Sequence, residues 1–215
     1  MNGFLGFLGG FTIALFSVLS ISFFLLKDSS LLLRSILLVF PDDKKERIER
    51  SFTRVVTLLS RYFSGILLQI TILFLFYAGV LLIFGIPNAL TIALICALFN
   101  IIPYIGPLAG AVLMIILTMV SNLDADIASV IVPKTIYVLI GFIIGQLIDN
   151  FFSQPYIFSK TVKSHPLEIF LIIILAGLLA GPLGMLIAVP LYTVIKVILS
   201  EFFSENRIVK ELTKN

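Results

Sequence analysis

Residues 89–120 read ALTIALICALFNIIPYIGPLAGAVLMIILTMV, an uncharged stretch whose middle is made of turn residues. Ala89 to Ile102 is apolar, Pro103-Tyr-Ile-Gly106-Pro107 interrupts, and Leu108 to Val120 is apolar again. As helix, each arm reaches about 20 Å, well short of the ~30 Å hydrocarbon thickness. The turn chemistry therefore falls where a single long span would have its centre. A break at that depth is tolerated only where protein or a water-filled cavity supplies partners for the freed backbone groups. The same pattern returns further on. Leu167 to Leu179 is apolar apart from Glu168, Ala180-Gly181-Pro182-Leu-Gly184 interrupts, and Met185 to Leu199 resumes with Pro190 inside and Lys196 near its end. Both breaks carry Gly-Pro-Leu and a second glycine. Two corresponding Gly/Pro-interrupted segments point to an inverted-repeat transporter and to its binding site. Two tilted spans joined by a tight turn, or a kinked helix, stand as plainer alternatives for each.

Working outward, 60% of the 215 residues are apolar and only 13% are charged, with a mean hydropathy of +1.16. A soluble domain is closer to about 45–50% apolar and about 25% charged, so lipid must serve as solvent for much of the surface. The net charge of +3 does not indicate nucleic acid, because most basic residues are confined to a few inter-span segments. Cys96 is the only cysteine and His165 the only histidine. No disulfide or cysteine-built metal site is possible within the chain, and a histidine-cluster metal site or a Ser-His-Asp triad has little to work with. Neither an enzyme, nor a cofactor, nor a nucleic-acid partner is expected.

Gly3 to Leu26 holds no charge for 24 residues, about 36 Å of helix and enough to span. It is too long, and lacks the basic flank, for a signal peptide. Gly3, Gly6 and Gly10 recur on one helical face, which allows close approach by another helix. Lys27 and Asp28 end the run, and the segment up to Phe40 reads as interfacial. Pro41 breaks it. Asp43 and Glu46 have the spacing of a capping box ahead of an amphipathic helix with Ile48, Phe52, Val55, Val56, Leu59 and Phe63 on one face. Arg47, Arg50, Arg54 and Arg61 form a solvated side that could also meet anionic lipid. Phe63 to Phe84 and Ile127 to Ile148 are of spanning length. The fold class expected is all-α: a polytopic transmembrane helical protein with two oppositely oriented re-entrant hairpins. Its divisions are a span over 1–26, a cytoplasmic or interfacial segment over 27–62, a transport core over 63–200 with hairpins at 88–120 and 167–199, and a tail over 201–215.

Eight basic residues between Lys27 and Arg61 place that segment in the cytoplasm. The chain then alternates so that Asp124 and Asp126 lie outside, while Lys160, Lys163 and the C-terminal tail lie inside. The two hairpins would start from opposite faces. On this topology Gly3 begins outside with nothing to deliver it, so residues preceding Met1 are expected.

Asn100-Ile-Ile-Pro-Tyr-Ile-Gly-Pro107 resembles the most diagnostic stretch of the autoinducer-2 exporter family of bacterial membrane proteins. Phe23-Phe-Leu-Leu-Lys-Asp28, Pro41, Arg61-Tyr62 with Gly65, Asp149-Asn150 with Pro155, His165-Pro166-Leu167, Gly181 to Gly184 and Ala188-Val-Pro190 resemble further blocks in the same order. The resemblance covers essentially the whole chain. It implies a bacterial inner-membrane location and export of a small furanone-type signalling molecule, while some members are assigned sodium/proton antiport. Members usually carry two further spans and a soluble stretch ahead of the segment matching Gly3.

The site residues follow from the breaks and from one polar stripe. Pro103, Gly106, Pro107, Gly181, Pro182 and Gly184 would expose backbone dipoles, and two opposed tips would form a polar pocket without a charged side chain. Asn100 precedes the first break. Gln146, Asp149, Asn150 and Gln154 line one side of a helix end, and an ionisable group beside a span is a functional candidate. Asp149 could carry a proton or hold sodium; the competing reading leaves it just past the span, solvated in the cytoplasm or capping the next segment. The function expected is export of a small solute by alternating access. A sodium/proton antiporter using Asp149 is the alternative, and a non-transporting scaffold is a third reading. The partners are the bilayer, the solute and further copies of the chain in a homo-oligomer. Any coupling ion would be H+ or Na+.

Overall fold

In hydrocarbon every backbone N–H and C=O must be satisfied within the protein, so uncharged apolar runs become helices. The computed structural model describes residues 2–28, 30–153 and 165–203, and every regular element among them is helical. These are α1 (Asn2–Lys27), α2 (Leu31–Val39), α3 (Asp42–Ile83), α4 (Ala89–Phe99), α5 (Ile105–Val120), α6 (Val132–Ile148) and α7 (Pro166–Phe202). Two π-helical turns, Ile127–Ile131 and Asp149–Ser153, extend α6 at its two ends. Four stretches are long and apolar enough to cross a membrane: Gly9–Lys27, Asp42–Ile83, Ile127–Ser153 and Pro166–Phe202. The protein is a multi-pass membrane protein. The loop over 154–164, with Gln154, Pro155, Lys160 and Lys163, and the tail from 204 lie outside the described residues.

The chain divides into two compact units, Met1–Thr53 and Arg54–Asn215, with the boundary inside α3. In the first unit, α1 stops at Lys27, and Asp28 Oδ1 accepts from the Ser30 N–H at 3.2 Å and the Ser30 hydroxyl at 2.8 Å. A Cβ built on Gly6 or Gly10 meets no described atom within 4 Å, so the close packing expected of that glycine face is not made within this unit. The capping box is also displaced. Lys44 N–H donates to Pro41 C=O, so α3 opens at Asp42 and Asp43 already lies inside its first turn. Glu46 accepts from Arg50 at 2.6 Å instead of reaching back along the backbone. α3 then runs without interruption to Ile83.

The second unit is built on an antiparallel pair of α3 and α6. Gln69 meets Asp149, Tyr77 meets Gln146, Val80 lies over Gly141, and Phe84 stacks on Tyr137 at 5.3 Å between ring centroids. Residue numbers rise along one helix as they fall along the other. Gly141 and Gly145 let α3 in this close: a Cβ on Gly145 would lie 2.7 Å from Tyr77 Cε1 and 2.9 Å from Phe76 Cδ1. α4 and α5 fold back on each other and complete the core, where Tyr77, Leu81, Ala93, Cys96, Met114 and Val138 are buried.

The first break sits earlier than the proline-glycine pattern suggests. α4 ends at Phe99 and α5 begins at Ile105, so Gly106 and Pro107 occupy the first turn of α5. Proline is tolerated there because that N–H has no intrahelical partner. The turn itself is carried by residues 100–104. At the second break Ala180 and Gly181 leave the helical region, Gly181 at φ +62° and ψ −150°. Gly184 then packs on the Ala176 carbonyl and Gly177 on Met185. A straight helix would hold such pairs about 12 Å apart, so α7 is two arms, 166–179 and 182–202, folded against each other.

Candidate functional site

Among the described residues of the second unit the buried polar side chains concentrate where α3, α4 and α6 meet. Asp149 and Tyr77 are fully buried and Gln69, Asn100 and Gln146 nearly so. The Gln146 amide donates to Tyr77 Oη at 2.7 Å and to Asn100 Oδ1 at 2.8 Å. Asn100 Nδ2 donates to the Cys96 carbonyl at 3.0 Å. One turn along α6, Asp149 Oδ2 accepts from Gln69 Nε2 at 2.8 Å. Tyr77 lies flat on Phe142, 5.1 Å between centroids, which fixes its hydroxyl toward Gln146. Gln146 Oε1 is buried with no hydrogen-bond partner among the described residues.

Local sequence explains the positions. Gln69 and Tyr77 lie eight residues apart on α3, Gln146 and Asp149 three apart on α6, so each pair shares a helical face. Asn100 caps the end of α4 and sits in the turn that follows it. Asp149 opens a π-turn, a local widening often found at functional sites.

The structure thus gathers Asn100, Gln146 and Asp149, and replaces the solvated alternative for Asp149 with a fully buried one. Asn150, on the neighbouring side, is exposed. Pro103 is half-buried, and Gly106 is buried with the Phe99 carbonyl filling the place a Cβ would take. The glycines of the two breaks are not brought together. Tyr104, at the first tip, donates to the Pro166 carbonyl at 3.4 Å and packs edge-on to Phe170 at 5.5 Å. The first tip therefore touches the mouth of α7, one arm's length, about 20 Å of helix, from Gly181. Pro182 is exposed, and Gly184 is buried only against its own hairpin.

Gln69 and Tyr77 were not singled out from sequence. A signal existed: Gln69 is the one carboxamide in the otherwise apolar run from Phe63 to Phe84, and an amide in hydrocarbon without a partner is costly.

Residues 1–204 match the model of the AI-2E family transporter. The chain belongs to the AI-2E transporter family. It is 32% identical over 195 residues to "Putative transport protein YueF" of Bacillus subtilis, covering 89% of this chain and 49% of that protein. A second Bacillus subtilis relative with the same description, YrrI, is 31% identical over 84% of this chain and 48% of its own length. MJ1177 of Methanocaldococcus jannaschii, named in the same way, is 27% identical over 78% of this chain and 48% of its own. The chain spans about half the length of these curated relatives. No solved structure matches it significantly.

Proposed function

We propose that this AI-2E chain supplies the solute path of a bacterial inner-membrane transporter, with Gln69, Tyr77, Asn100, Gln146 and Asp149 lining it. The observation that carries this reading is an acid and three carboxamides buried together among helix segments that are otherwise mostly apolar. Such groups are expensive at membrane depth and mark substrate or ion routes. The free acceptor on Gln146 and the donor-rich amides suit a small, hydroxyl-bearing solute, in keeping with a furanone of the autoinducer-2 type. The two fold-backs act as re-entrant hairpins from opposite faces, and alternating access proceeds by movement of one against the other within a homo-oligomer. Flux of the furanone into or out of vesicles holding the full-length protein tests this. Gln146→Leu should reduce flux at least tenfold while leaving the protein folded, and undiminished flux would remove the cluster from the path.

A second reading is favoured by Asp149, the one buried acid among the described residues. Here Asp149 exchanges a proton for sodium, with Gln69 orienting the carboxylate. Collapse of a pH gradient on sodium addition measures it. An Asp149→Asn variant with unchanged exchange would sink this version.

A further inference from the structure

Tyr104 has φ +66° and ψ −52°, and Ile105 N–H donates to Pro103 C=O at 2.8 Å. This is a γ-turn of the positive-φ kind, rare and strained for any residue with a Cβ. Glycine would make the same turn without strain. The Tyr104 side chain reaches Phe170 and the Pro166 carbonyl at the mouth of α7. Its neighbours Ile101, Ile102 and Ile105 pack on the cluster formed by Tyr62 and Ile66 of α3 with Ile169, Ile173, Ala188 and Val189 of α7. Strain persists only where surrounding contacts over-determine it; here the flanking isoleucines meet both α3 and α7, while the Tyr104 ring itself meets only the other broken helix among the contacts described.

We propose that Tyr104 is a latch joining the two interrupted segments: its ring holds the α4–α5 tip against the mouth of α7, and the strained turn drives the tip away once that contact opens. Tyr104 is thus a positioning residue for the rocking of one hairpin against the other. Only that use rests on the transport reading; the latch itself is a property of two conformations.

Nitroxide labels at Leu108→Cys and Leu171→Cys, both exposed in the structure, report the tip-to-mouth distance in the full-length protein reconstituted in lipid. Buried Cys96 stays in place. The parent should give one dominant short distance. Tyr104→Ala and Phe170→Ala should each raise the share of a longer distance by about three- to tenfold, the scale of one lost aromatic pair. Tyr104→Phe should match the parent, because a hydroxyl contact of 3.4 Å is marginal. Phe170→Ala removes the contact without touching the strained turn, so it decides the matter if Tyr104→Ala folds poorly. Unchanged distances in the alanine variants would overturn the latch. The measurement needs no solute, so a protein that fails to move the furanone could still show the latch, and the reverse.

Discussion

Gly106 and Gly181 look alike in the sequence, each followed by proline and leucine, yet different physics requires each. At Gly106 the space is taken: the Phe99 carbonyl fills the position of a Cβ. At Gly181 the space is open and the backbone is the constraint, with φ +62° and ψ −150°, a region essentially confined to glycine. Alanine at either site should cost about 1–3 kcal/mol. Leucine should separate them. Gly181→Leu should cost about as much as Gly181→Ala, whereas Gly106→Leu should prevent folding; thermal unfolding in detergent measures both, and equal size dependence would contradict the assignment. For Gln146, each interhelical hydrogen bond in a membrane protein is worth about 0.6 kcal/mol on average. Gln146→Leu also leaves the buried Asn100 Oδ1 without its donor, so it should cost about 1–3 kcal/mol, and its flux loss is read beside thermal unfolding of the same variant.

At the scale of elements, the spans over 63–84 and 127–148 were legible because an apolar run of that length, the second with only Lys134 near its start, has one solution in lipid. The second turn is legible in the sequence, with Ala180 and Gly181 inside the expected interruption. The first is legible only in part: Pro103 lies in the turn, but Gly106 and Pro107 fall in the first turn of α5, where proline fits equally well, and the strained residue is a tyrosine with no turn propensity. That tip packs on α3 and α7, and packing between distant segments leaves no local mark. The same limit hid Gln69 and Tyr77, whose partners lie 80 and 69 residues away. α6 carries an expectation of its own. Asp126 accepts from the Ser129 hydroxyl at 2.7 Å and the Ser129 N–H at 2.8 Å, and these bonds hold its carboxyl below its ordinary value of 3.8. A depressed value in the folded state means that the cap stabilises fully above about pH 4 and is lost as pH falls through the lowered value. Asparagine caps at every pH. The stability advantage of the parent over Asp126→Asn should therefore shrink as pH drops below about 4, as followed by thermal unfolding. An advantage constant with pH would reject the cap.

At the scale of the molecule, antiparallel α3 and α6 set the Gly85–Lys134 end and the Gln69–Asp149 end of the second unit apart. If that axis crosses the bilayer as the charge pattern suggests, Asp124→Cys should react with an impermeant thiol reagent in intact cells. His165→Cys should react only after the cells are opened. The native thiol contributes little background, since Cys96 is buried with its Sγ on the Gly110 carbonyl. Labelling of both from the same face would overturn the topology.

The π-turn at Asp149–Ser153 gives the chain a local tolerance of length. A π-turn holds one residue more than the α-turn it replaces. Deleting Phe151, an exposed side chain, would let the segment relax to ordinary helix while removing nothing from the buried cluster. The residue lost is the one by which a π-turn exceeds an α-turn, so Ser153 would keep the buried face it shares with Asp149. A gap of one residue here in a related chain would leave that face in register, whereas the same gap earlier in α6 would turn Asp149 about 100° away from Gln69.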